Sequence, residues 1–236
     1  MTKPYPAPRA DTQTGNVIFY ILLGIVLLGL LTAALRSGGI EGSNIDDETV
    51  LINVARMKDQ ANAIESGVAY IIQNRASESD IRFAHANAAA DYGNDPTVSA
   101  QFQLFSRAGG GVDYLPPPTG INDGSAWEFY GNTHMPQVGT AKPELLAVLP
   151  NITAGACALI NHQAGYTGTP TDDGGGALSS GCVYSNGGAR FSSTGLYSTP
   201  AGNTTDEATF SLKPATQGCV TCGDGSRHYV RVLLAR

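Results

Sequence analysis

The sequence predicts an α+β fold: a long N-terminal helix in two halves, then a small antiparallel β-sheet head with long Gly/Ser/Thr-rich loops. Three observations carry this expectation. An unbroken apolar run extends from Val17 to Leu35. An apolar stripe at helical spacing follows from Val50 to Ile71. Short strand-like runs, separated by connections rich in glycine and proline, fill most of the remainder.

Residues 1–15 contain Pro4, Pro6 and Pro8 and little that could pack, so they read as a leader. The apolar run is assigned to a helix over residues 16–36. At about 1.5 Å per residue, Val17 to Leu35 spans roughly 28 Å, close to the hydrocarbon thickness of a bilayer. No clear small-x-small cleavage site follows it, which argues against a cleavable secretory signal. Lys3 and Arg9 precede the run, whereas Glu41, Asp46, Asp47 and Glu48 follow it. The positive-inside tendency therefore predicts an N-terminus in the cytoplasm and an exported C-terminal part, with Arg36 weakening the contrast. Gly24 and Gly29 are not at the spacing of a small-xxx-small dimer face.

The stretch RSGGIEGSN predicts a flexible break over residues 37–45. A second helix is expected over 46–76, with Asn44 as a plausible N-cap and acidic residues complementing the first-turn dipole. Val50, Val54, Met57, Ala61, Ile64, Val68 and Ile71 recur at alternating spacings of four and three, which makes one apolar face.

Residues 77–236 are expected to form an exported globular head. SAQFQLF (99–105) alternates polar and apolar residues and reads as a strand, as do AWEFYG (126–131), TFSLK (209–213) and SRHYVRVLLAR (226–236). The last is apolar on both faces near its end, the mark of an interior strand. Trp127, the single tryptophan, is a candidate core anchor. KPELLAVLPNITAGACALINHQAG reads as two short helical pieces, opened by Pro143 and divided by Pro150. Cys157 falls on the apolar side of the second. Residues 165–208 are expected to be a surface excursion of turns and short strands.

The composition excludes several functions. Charged residues make up 14% of the 236, the net charge is −6, and no basic stretch is interleaved with aromatics, so no nucleic-acid partner is expected. There is no GxSxG, no HExxH and no phosphate cradle, and His85, His134, His162 and His228 are scattered singly; no catalytic residues and no enzyme activity are assigned. Cys157, Cys182, Cys219 and Cys222 form an even set in a chain read as exported, which favours disulfides. Their pairing stays open: Cys219 and Cys222 could join each other, or each could reach back to Cys157 or Cys182. The CxxC lacks the βαβ setting of a redox pair and the second ligand pair of a zinc site. Asp-Gly runs such as TDDGGG fit tight turns better than a calcium site. No cofactor and no metal are expected.

The leader ending in Gly15, the apolar helix directly after it and the amphipathic continuation together resemble the type IV pilins and type II secretion pseudopilins. The resemblance covers residues 8–75. It implies cleavage after Gly15 by a prepilin peptidase, with Asn16 as a new, methylatable N-terminus. Val17, Ile18, Phe19, Tyr20, Ile21, Leu22 and Leu23 would then begin the assembly helix. That helix would anchor the protein in the inner membrane and later form the core of an extracellular or periplasmic filament. The implied partners are copies of the chain or other pilin-like subunits. Two positions depart from the family pattern: Asn16 stands where Phe or Met is usual, and Tyr20 replaces the glutamate usual five residues into the mature chain. The other reading left open is a signal-anchored exported binding domain that never polymerises.

Overall fold

In the computed structural model, the described residues are 16–37, 43–85, 87–88, 92, 99–172, 190–192, 196–197 and 209–236; residues 16–18, 31–37, 43–46 and 171–172 are described as backbone only. The chain divides into two compact units, Met1–Glu48 and Thr49–Arg236.

The first unit contains helix α1, Asn16–Ser37, of 22 residues. The second helix, α2, runs Ser43–Gln73, where 46–76 was expected, and residues 38–42 of the expected break lie outside the described ones. Among the described residues no helix is long and apolar enough to cross a membrane.

The second unit is α+β. Its sheet comprises β1 (Glu128–Thr133), β2 (Glu144–Leu149), β3 (Thr171–Asp172), β4 (Gln217–Cys222) and β5 (Arg227–Leu234), in the order β1-β2-β5-β4-β3. The four longer strands are antiparallel to their neighbours, and the two-residue β3 runs parallel to β4 at the edge. A third helix, α3, spans Ala154–Ala164 and ends on Gly165 in the left-handed region at φ 86°, a conformation glycine takes without a Cβ penalty.

The strands carry two cores. Side chains alternate across a sheet, so Leu145, Ala147, Leu149, Tyr229 and Leu233 face one way. There they meet Val54, Met57, Ala61, Ile64, Val68 and Ile71 of α2, all buried, with Ile160 of α3 and Trp127. The expected stripe of α2 is therefore the face that builds this core. Leu146, Val148, Val220, Val230 and Val232 face the opposite way, against Met135, Val138, Tyr166, Phe210 and Ala215. Fully burying a Val, Leu, Ile, Phe or Met side chain of this kind contributes about 1.5–3 kcal/mol.

Three expected elements are corrected. Residues 144–149, read as helix, form the strand β2. With every residue buried and Glu144 its one polar side chain, the alternation that marks a half-exposed strand is absent. Residues 99–105, read as a strand, form a 3-10 turn at Ala100–Phe102. They make only an isolated bridge, through Arg82 and Gln103, and Gly110 N–H returns to the Gln103 carbonyl at 3.0 Å. Residues 209–213 form no strand but lead through bends to Pro214, which has no N–H to offer a neighbour. Conversely, β4 covers the CxxC, which carried no strand expectation. β5 does lie inside the sheet, between β2 and β4.

The β1 edge is closed by other parts of the chain. Phe191 N–H donates to the Phe129 carbonyl at 2.8 Å, and Phe129 N–H donates to the Tyr92 hydroxyl at 2.8 Å. These two bonds occupy the outward backbone groups of Phe129, which an edge strand otherwise leaves open to pairing.

Candidate assembly surface and disulfide framework

The predicted processing residue Gly15 lies outside the described residues, and Asn16 is the first residue of α1. Val17 and Ile18 are described as helical backbone only. Phe19, Tyr20, Ile21, Leu22 and Leu23 are all exposed, as are Ile25, Val26, Leu27, Leu28 and Leu30; Phe19 is 61% exposed and Leu28 63%. Successive residues of a helix are turned by about 100°, so these side chains cover its whole circumference. Nothing lies within 4 Å of a Cβ built on Gly24 or Gly29. Water does not favour such a surface, whereas acyl chains or other apolar helices would cover it.

The cysteines resolve in part. Cys157 of α3 and Cys219 of β4 form a disulfide, both fully buried in the core under α2. Asn161, one turn beyond Cys157 on α3, donates from Nδ2 to the Cys219 carbonyl and accepts the Cys219 N–H at Oδ1, both at 2.8 Å. The buried amide thus satisfies both backbone groups of Cys219, as a neighbouring strand would. Cys222 is also disulfide-bonded and belongs to the opposite core, while Cys182 lies outside the described residues. In a strand, residues three apart point to opposite faces, so Cys219 and Cys222 cannot pair with each other while β4 is intact. That alternative, left open by the sequence, is closed by the structure.

The remaining polar groups are tied into local structure. Ser226 Oγ lies 2.6 Å from both Asp224 Oδ1 and His228 Nε2 in the turn between β4 and β5. Asp224 also accepts Ser226 N–H at 2.9 Å, so the carboxylate braces the turn rather than orienting the imidazole. Glu144, fully buried, accepts Met135 N–H at 2.7 Å and lies 3.2 Å from His134 Nδ1; burial raises its pKa above the ordinary value. Among the described residues, no group of three or more His, Cys, Asp or Glu is placed to hold a metal.

A second surface had no counterpart in the sequence reading. Arg56, Asp59, Gln60 and Ala63 of α2 line a groove of about 520 Å³ whose other wall is Leu115, Pro116 and Pro118. The run Pro116-Pro117-Pro118 beside an apolar Leu115 was its one signal, and nothing in it pointed to α2 as the facing wall.

No family model, curated protein or solved structure matches the chain.

Proposed function

We propose that the chain is a non-enzymatic structural subunit of a type IV pilus-like or pseudopilus-like filament. On this reading α1 is held in the inner membrane of a bacterium before assembly, with residues 77–236 exported. In the filament it packs against the same helix of neighbouring copies or related subunits. The observation that carries the proposal is the apolar surface exposed around residues 19–30 of a helix that begins at Asn16, directly after Gly15. The amphipathic α2 adds support, because its apolar stripe from Val54 to Ile71 is buried inside residues 49–236, whereas the side chains of residues 19–30 of α1 are exposed. Tyr20 places a neutral hydroxyl where a carboxylate would demand a buried counter-charge, so assembly here needs no such pair.

The test is the N-terminal residue of protein isolated from membranes, read by intact mass. The expected mature chain starts at Asn16, and Gly15→Ala accumulates the full-length form. An uncut chain starting at Met1 in the wild type overturns the filament reading in favour of a signal-anchored exported domain.

A further inference from the structure

We propose that the exposed stripe of α2 beside the proline loop is a self-association surface, at which two copies of this chain pair about a two-fold axis with their α2 helices antiparallel. The inference goes beyond the filament reading and rests only on residues within 49–236.

Ile52, Arg56, Asp59 and Ala63 are all exposed and are spaced by four, three and four residues, so they form one stripe along α2. Beside the stripe, Leu115, 57% exposed, and Pro116 and Pro118 rise as the far wall of the groove. That wall is held in place by hydrogen bonds. Asn53 Nδ2 donates to the Thr119 carbonyl at 3.0 Å and Gln60 Nε2 to the Pro116 carbonyl at 3.0 Å. Gln60 Oε1 in turn accepts Trp127 Nε1–H at 3.2 Å. Prolines fix their own φ, so the wall loses little entropy when something docks against it.

The occupant follows from charge and size. Arg56 and Asp59 take part in none of the ion pairs among the described residues. The spacing of the stripe reads the same in both directions. A two-fold axis between residues 57 and 58 therefore sets Arg56 opposite the partner's Asp59, and Asp59 opposite the partner's Arg56. The same axis sets Ile52, 53% exposed, over the partner's Ala63, where the groove leaves room for a branched side chain between Leu115 and α2. A parallel pairing in register would instead oppose arginine to arginine and isoleucine to isoleucine. The stripe is thus complementary to itself in one orientation.

The experiment uses the full-length protein in detergent micelles that cover α1, followed by sedimentation velocity through a dilution series. Arg56→Asp alone and Asp59→Arg alone each place like charges opposite one another and should weaken dimerisation about tenfold. An equimolar mixture of the two variants restores opposite charges at both contacts, and so should restore wild-type dimerisation. No change to the Arg56–Asp59 relation within one chain could produce that recovery. A benzophenone cross-linker at Ile52 should join to peptides of a second copy that contain Ala63 or Leu115. The proposal is overturned if the wild type stays monomeric in the series, if the mixture fails to recover, or if the cross-links map elsewhere. Association through α1 would be indifferent to both charge variants, and would equally overturn it.

Discussion

Removing the Cys157–Cys219 disulfide tests whether the α3–β4 junction staples the second unit. The bond closes a loop with a sequence separation of 62. In the chain-entropy account, a cross-link of that length constrains the unfolded chain by about 4 kcal/mol. Against the 5–15 kcal/mol typical of a whole domain, this is a large share. The double variant Cys157→Ala, Cys219→Ala is the right perturbation, because it leaves no buried thiol behind. Asn161 keeps its two hydrogen bonds to the backbone of residue 219, so the variant tests the cross-link and not the polar junction. Urea unfolding in micelles can be followed by fluorescence of Trp127, the only tryptophan, which is 1% exposed in the same core. At a slope of about 2 kcal/mol per molar urea, the midpoint should fall by roughly 2 M. A fall of less than about 0.5 M would refute the assignment of that stability to the cross-link. Peptide mapping of the wild type provides an independent check: a Cys219–Cys222 linked peptide would contradict the opposite-face geometry of β4.

Two further outcomes are expected. Gly67 lies where loop 104–112 crosses α2, and a Cβ there would sit 2.5 Å from Val112 Cγ2 and 2.6 Å from Leu104 Cδ1. Gly67→Ala should therefore cost about 1–3 kcal/mol through overpacking, despite a helix-propensity gain of about 1 kcal/mol; a stabilised variant in urea titration would show that the loop yields. His85 stacks on Tyr114 with ring centroids 3.7 Å apart, and burial holds its imidazolium down to about 4. The unfolded chain then binds more protons than the folded one between about 6.5 and 4. The contribution of His85 is full above that window and is lost as the pH falls through it. Titration of the His85 ring protons by NMR should give a midpoint near 4, and His85→Phe should flatten the acid limb of the stability curve; a midpoint near 6.5 would contradict the stacked geometry.

The legible parts of the fold are those where one side of an element meets water. The period of α2 survives because its outer face is polar, so Val54, Met57, Ala61, Ile64, Val68 and Ile71 stand out against it. The segment 144–149 sends side chains into both cores and keeps no polar face; the alternation that distinguishes a strand disappears with it. The flanking Pro143 and Pro150 then resemble helix punctuation, although so short an apolar run is better suited to a strand. The misread segment 99–105 shows the converse: its alternation is real, but among the described residues no strand lies beside it, and the glycines that follow fold the chain back on itself.

The candidate sites divide along the same line. The apolar surface of α1 was legible because it is a property of consecutive residues. The groove was not, because Arg56 and Asp59 belong to α2 while Leu115, Pro116 and Pro118 belong to a loop placed by Gln60, Asn53 and Trp127. Only tertiary contact brings them together. The cysteines lie between these cases. Their disulfide character was expected from their even number in a chain read as exported, but which pairs form is decided by the alternation of β4, which turns Cys219 toward Cys157 and Cys222 away from it. The same alternation distributes the strand side chains between two cores. If β4 were a loop, Cys219 and Cys222 would be free to join each other and the junction with α3 would have no covalent tie. The strand identity of a segment read from its CxxC alone therefore determines the disulfide framework, and the framework fixes α3 against the sheet beneath α2.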